Sequence, residues 1–176
     1  MQITIRQEEP RDYATVFQIV EAAFKTMKYS DGDEQFLVER LRQSESFIPA
    51  LSLVAEYEGQ LVGHILLTRI FIVNDTERHE ALTLAPVSVR PDFHKKGIGG
   101  QLIQAAHDIA KNLGYTSVVL LGHANYYPRF GYQKTSLYGI QLPFDVAEEN
   151  CMIVELVKGG LDGVSGVVEY DKVFYQ

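Results

Sequence analysis

The chain has a single cysteine, Cys151, in 176 residues, which excludes an intrachain disulfide. That scarcity fits a reducing compartment, and the expected location is the cytoplasm. No apolar run approaches the roughly 18 residues a membrane span needs. The first ten residues, Met1 to Pro10, alternate and then turn acidic, unlike a secretory leader. Basic charge is in deficit, with 16 Lys and Arg against 23 Asp and Glu and a net charge of −7. General nucleic-acid binding is therefore not expected. The five histidines (His64, His79, His94, His107 and His123) lack metal-ligand spacing such as H-E-x-x-H, so no metal is expected. Repeats, low-complexity tracts and linkers are absent. A single domain over residues 1–176 is expected, long enough to bury roughly 70% of its unfolded surface.

What is present reads as alternating elements. Ile3 and Ile5 alternate with polar neighbours as in a strand. Pro10 suits a helix's first turn, and Tyr13, Val16, Val20, Ala23 and Phe24 follow at helical spacing. Asp31 and Glu34 suggest a capping box, with Phe36, Leu37 and Leu41 as the next helical stripe. Leu51–Tyr57 and Leu61–Val73 predict a hairpin around Glu58-Gly59-Gln60, and Glu80–Val89 a further strand. Ile98, Leu102, Ile103, Ala106, Ile109, Ala110 and Leu113 form the apolar face of a helix that ends at Gly114. Ser117–Leu121 is a short buried strand; Met152–Val157 and Val164–Tyr170 predict a final strand pair. The order predicts an α/β mixed sheet with helices on both faces.

The most informative stretch runs from Val87 to Leu102. A β-branched run stops at Arg90-Pro91. A basic, glycine-containing loop follows, and an amphipathic helix opens at Ile98 or Gly99. The free N–H groups of a helix's first turn, aided by its dipole, make a cradle for phosphate. Gly97 and Gly99 can take positive φ there. Arg90, Lys95 and Lys96 against Asp92 form a basic island in an acidic chain. A P-loop is excluded because Lys95 and Lys96 precede the glycines. A dinucleotide fingerprint is excluded by the spacing Gly97-x-Gly99-Gly100.

Val89-Arg90-Pro91, His94-Lys-Lys-Gly97-Ile-Gly99 and Leu102 resemble the acetyl-CoA loop of the GNAT superfamily of N-acetyltransferases. That loop has the pattern Gln/Arg-x-x-Gly-x-Gly/Ala after V-x-P and before a Leu. His94 departs from the Gln or Arg, at a position where the family binds mainly through backbone. The segment Tyr126-Tyr-Pro-Arg-Phe-Gly-Tyr132 and the tail from Leu161 to Phe174 look like the YhbS-type branch of bacterial N-acetyltransferases. The resemblance implies the GNAT acyl-CoA N-acyltransferase fold, a mostly antiparallel sheet splayed at its fourth strand. Pantetheine lies in that opening. Pro86, which cannot donate to a ladder, suits a strand that parts from its neighbour.

By the same resemblance, acetyl-CoA is the cosubstrate. His94, Lys95, Lys96, Gly97, Ile98, Gly99 and Gly100 hold its pyrophosphate, and Asn125 and Tyr127 complete its site. The main chains of Val87 and Val89 meet pantetheine, and the Val87 N–H faces the thioester oxygen, where such a donor stabilises developing charge. Tyr127, four residues before Gly131-Tyr132, stands where the family carries the acid that assists thiolate departure; Tyr126 is the neighbouring candidate. For the base, Glu80 comes first. His79 and a water relay to Asp31, Asp33 or Glu34 are the alternatives. Cys151 precedes an apolar strand with no base nearby in sequence, so it reads as a small buried hydrophobe rather than an acyl carrier.

The expected activity is acetyl transfer to a primary amine by direct attack. Lys25–Asp33 and Tyr138–Phe144 are expected to shape the acceptor side. Relatives on this fold are often homodimers. The competing readings are an acetyl-CoA sensor without transfer and an interaction protein that has lost CoA.

Overall fold

A computed structural model describes residues 1–28 and 30–176. β1 (Thr4–Gln7) leads through a 3-10 turn at Pro10–Asp12 into α1 (Tyr13–Phe24). α2 (Glu34–Arg42) follows. β2 (Ser52–Tyr57) and β3 (Gln60–Val73) form a hairpin. Glu58 and Gly59 take φ of 50° and 78° at its turn, the left-handed geometry that matches strand twist. β4 (Arg78–Val89), α3 (Ile98–Asn112) and β5 (Ser117–Leu121) come next. The short β6 (Gln133–Lys134) and β7 (Ile140–Gln141) precede β8 (Cys151–Glu155) and β9 (Gly166–Glu169).

Among the described residues these strands make one mixed sheet in the order β1-β2-β3-β4-β5-β8-β6, with β9 on β3 and β7 on β9. Antiparallel ladders dominate; β4–β5 and β7–β9 are parallel. One face is covered by α1 and α2, whose Val16, Val20, Val38 and Leu41 cluster with Val54 and Leu66. α3 covers the other, placing Leu102, Ile103, Ala106 and Ala110 against Leu53, Ile65, Leu67 and Leu82.

Four details differ from the sequence expectation. α2 starts from Asp33, and Asp31 instead accepts the Asp33 N–H at 3.0 Å in a turn rather than forming a capping box. Phe36 lies on the rim of that helix, 46% exposed and edge-on to Phe17, because Val38 and Leu41 take the buried positions. Leu113 is 50% exposed, past the last turn of α3. The final two strands do not pair with each other: β8 runs between β5 and β6, while β9 crosses to the far end of β3.

β4 positions the site. Ile65 faces Val87 but Leu67 faces Leu84, so β4 carries one extra residue in the stretch containing Ala85 and Pro86. Its pairing with β5 consists of Leu82–Val118 and Thr83–Val119. Thr83 Oγ1 adds a bond to the Val119 carbonyl at 3.1 Å. Beyond that rung the two strands part.

Candidate active site

The edge of β4 left open by the splay has a definite polarity. The Arg90 N–H donates to the Val62 carbonyl at 2.8 Å, so Arg90 turns its main chain toward β3. Alternation along an antiparallel strand then turns Ser88 the same way and points the N–H and C=O groups of Val87 and Val89 into the opening. The Val87 and Val89 side chains pack with the α3-side core, which fixes this orientation. An extended ligand arm can therefore add to the sheet here, as strand-like ligands do at free edges. The Val89 carbonyl already accepts a 2.8 Å bond from His94 Nε2. A carbonyl has a second lone pair for a ligand donor.

The loop beyond β4 builds the cradle. Gly97 takes φ 78° as the N-cap of α3. The second left-handed residue is Lys95, at φ 62°, and Gly99 is already helical. Space explains Gly99 instead: a Cβ there would lie 3.3 Å from the Tyr126 hydroxyl and 3.8 Å from Val89 Cγ2. A Cβ on Gly100 would meet the Phe130 ring at 3.3 Å. The 126–130 segment thus covers the first turn of α3, and two glycines permit it. Arg90 is turned inward electrostatically, held by Asp92 at 2.6 Å, and its guanidinium keeps the Asp92 carboxyl below the usual range. Lys95 and Lys96 are exposed and remain as the cations for a ligand. Arg129 lies on the covering segment, its guanidinium 4.6 Å from the centre of the Tyr126 ring. The sequence reading missed Arg129; nothing in its spacing marks it, since Tyr126 and Phe130 bring it to the helix start.

The two adjacent tyrosines have different addresses. Tyr126 reaches Gly99. Tyr127 lies against Gly122 at the end of β5, where any Cβ would overlap its ring. It stacks edge-on with Tyr126 and Tyr132 at 5.0 and 5.8 Å. Burial, then the neighbouring Tyr126, push its hydroxyl up to about 12. Tyr127 is therefore fully protonated at neutral pH.

Gly122 also lines a cavity of about 890 Å³ with Glu34, Leu121, His123, Asp145, Glu149 and Asn150. Glu34 comes from the first turn of α2 and accepts a 2.5 Å bond from Ser30 Oγ. Three carboxylates thus face one cavity beside Tyr127. The cavity adjoins the ends of Lys25–Asp33 and Tyr138–Phe144; Tyr29, within the first, lies outside the described residues. Asn125 is exposed at the same end of β5.

Glu80 is not brought to this place. It stands seven residues before Val87 on β4, roughly 20 Å away at strand rise, and lies 3.5 Å from Arg69. His79 sits beside Thr116 at 3.3 Å, also at the far end. Asp33 is tied to Arg40 at 2.7 Å. Cys151 is buried, and burial and Glu148 push its thiol up, which keeps it protonated and a poor nucleophile. Among the described residues no group of three or more His, Cys, Asp or Glu could hold a metal ion. No helix of the described residues is long and apolar enough to cross a membrane.

An open strand edge leads here into a glycine-capped helix start, and comparison with known proteins says which family is built this way. Residues 14–132 match the acetyltransferase (GNAT) family model. The chain belongs to the GNAT acetyltransferase family. It is 35% identical over 148 residues to the uncharacterised N-acetyltransferase YjhQ of Escherichia coli K12, covering 84% of this chain and 79% of that one. The crystal structure of the GNAT family N-acetyltransferase YhbS from Escherichia coli, in complex with CoA, superposes with a TM-score of 0.85 at 26% identity, over 100% of this chain and 93% of that one. A GNAT family acetyltransferase from Brucella melitensis, in complex with acetyl-CoA, gives 0.80 at 32% identity, over 98% of both chains. This GNAT chain is thus of the YjhQ/YhbS type.

Proposed function

We propose that this protein transfers the acetyl group of acetyl-CoA to a primary amine by direct attack, within one N-acetyltransferase domain over residues 1–176. The observation that carries the reading is the free β4 edge at Val87 and Val89, running straight into the Gly97-capped start of α3. The related CoA and acetyl-CoA complexes support it.

In this reading pantetheine lies along Val87 and Val89, and the pyrophosphate sits on the first-turn amides of Ile98, Gly99 and Gly100 with Lys95 and Lys96 alongside. The Val87 N–H donates to the thioester oxygen, whose charge grows as the amine nitrogen bonds to the carbonyl carbon. The amine attacks in its neutral form, its ammonium proton having passed to water. When the C–S bond breaks, the electron pair leaves on sulfur, Tyr127 hydrogen-bonds to the thiolate, and the nitrogen's surplus proton also passes to water. A phenol at about 12 is a weaker acid than a thiol near 8.5, so this is stabilisation by a hydrogen bond rather than completed proton transfer. The carboxylates of Glu34, Asp145 and Glu149 favour a cationic acceptor in the adjoining cavity. Holding donor and acceptor in one cleft supplies much of the rate.

The test is a thermal shift with acetyl-CoA followed by an amine screen that reads CoA release. Ligand at 100 times its dissociation constant should add about 2.7 kcal/mol of stability. Stabilisation with no CoA release on any amine would mark a binding protein; no stabilisation would remove the reading altogether.

A further inference from the structure

Three buried side-chain polar atoms of the described residues meet no protein partner: His64 Nδ1, Ser88 Oγ and Ser117 Oγ. The first two belong to residues directly opposite each other on β3 and β4. His64 is fully buried and Ser88 is 2% exposed. Both side chains lie on the α1/α2 face, since His64 also faces Val54, which packs with those helices.

His64 ends a polar row that crosses the sheet beneath α1 and α2. Arg42, from the last turn of α2, donates to Glu8 through Nη2 at 2.6 Å and Nε at 3.1 Å. Ser52 Oγ donates to Glu8 Oε1 at 2.8 Å, and His64 Nε2 lies 3.2 Å from Ser52 Oγ. Ser52 has spent its proton on Glu8, and the other neighbour of Nε2 is Glu8 Oε2 at 3.6 Å. Nε2 therefore carries the ring proton, and Nδ1 is left as an acceptor. Burial, the largest influence, lowers His64 to about 4, so the close Glu8 contact is not an ion pair at neutral pH.

A buried acceptor and a buried hydroxyl are each costly to leave unpaired. The two side chains rise side by side from Cα atoms about 5.5 Å apart, and a single water hydrogen-bonded to both unpaired atoms would satisfy them. Ser88 sits between Val87 and Val89, on the limb of β4 that has left β5.

We infer that a buried water bridges His64 Nδ1 and Ser88 Oγ, making Ser88 and His64 positioning residues that hold the Val87 N–H in register with the thioester. The row ties the free limb of β4 to the buried Glu8–Arg42 pair. The role for Val87 rests on the function proposed above; the water does not.

Ser88→Ala removes the hydroxyl and adds no bulk. It should lower kcat about tenfold or more, as small misplacements of a reacting group do, while the KM for acetyl-CoA moves less than threefold. Ser88→Thr, which restores the hydroxyl, should recover most of the rate. Ser117→Ala, which removes the third unpartnered atom, a hydroxyl on β5, should leave kcat unchanged. A high-resolution crystal structure should show a water within hydrogen-bond distance of both atoms. Absence of that density, or equal kcat for the Ser88→Ala and Ser117→Ala proteins, overturns the inference. A wild-type protein that turns over no amine and ignores acetyl-CoA overturns the reading of function and the positioning role, and leaves the water to stand or fall on its density. If Ser88→Ala fails to fold, His64→Gln and the density carry the same test.

Discussion

The proposed donor half and the proposed acceptor half of the cleft are built in different ways. Val87 to Gly100 is one continuous stretch, and its working groups are main-chain amides aimed by a strand edge and a helix start. The cavity proposed for the acceptor is assembled from Glu34 on α2, Leu121–His123 after β5 and Asp145–Asn150 before β8, and the groups it offers are side chains. Backbone geometry tolerates side-chain drift, so the donor half can stay the same while the acceptor half varies.

Each face of the sheet beside these halves holds a buried neutral histidine, which gives the largest expected effect. His64 lies under α1 and α2 near Glu8 and Arg42; His107 lies in α3, bonded to the Tyr132 hydroxyl at 2.8 Å. Burial lowers both from 6.5 to about 4. The unfolded chain binds these protons between about pH 6.5 and 4 and the folded chain does not, so stability falls as pH drops through that window. The loss should reach roughly 3 kcal/mol for each histidine. Denaturant unfolding at pH 7, 5.5 and 4.5 reads it, and a flat profile would show that neither ring is held neutral.

Gly99→Val should weaken acetyl-CoA binding by about 100-fold, roughly 2.7 kcal/mol, because its methyls press on the Tyr126 hydroxyl and Val89. Calorimetric titration checks this, and wild-type affinity would break the assignment of the cradle. Tyr127→Phe should cost about 10- to 100-fold in kcat, at or below the low end of the roughly 10²–10⁴-fold of general acid catalysis because Tyr127 lends a hydrogen bond rather than a proton, while acetyl-CoA affinity stays the same. A variant with full kcat would confine Tyr127 to its aromatic packing with Tyr132. Glu34→Gln should act on the other half alone. It should raise the KM of cationic amines by only a few-fold, about 1 kcal/mol or less for a solvent-accessible carboxylate, without moving the KM for acetyl-CoA. A change in both constants would dissolve the distinction between the halves.

The same division decides what the sequence made legible. β4, the loop and α3 could be read because their signals are local: a β-branched run, a proline, glycines and a 3.6-residue stripe. The parting of β4 from β5 beside Pro86 was anticipated from a residue that cannot join a ladder. Features that depend on residues far apart in the chain were not legible. β8 and β9 look like a hairpin in sequence, yet each pairs with strands laid down much earlier. Spacing from Gly131 singles out Tyr127, but only the packed turn sends Tyr126 to Gly99 and Tyr127 to Gly122. Glu80 was a reasonable carboxylate on the right strand, but strand rise puts it far from Val87. The His64–Ser52–Glu8–Arg42 row gives no sequence signal, since its members come from β3, β2, the loop after β1 and α2.

The most direct test of the account is amide hydrogen exchange at three consecutive residues, with and without acetyl-CoA. Val87 and Val89 face the opening, whereas Ser88 faces β3. The account predicts that acetyl-CoA slows exchange at Val87 and Val89 by about tenfold or more while Ser88, protected by the β3 ladder, stays unchanged. Equal exchange at Val87 and Val89 in both states, or protection gained at Ser88 alone, would contradict it.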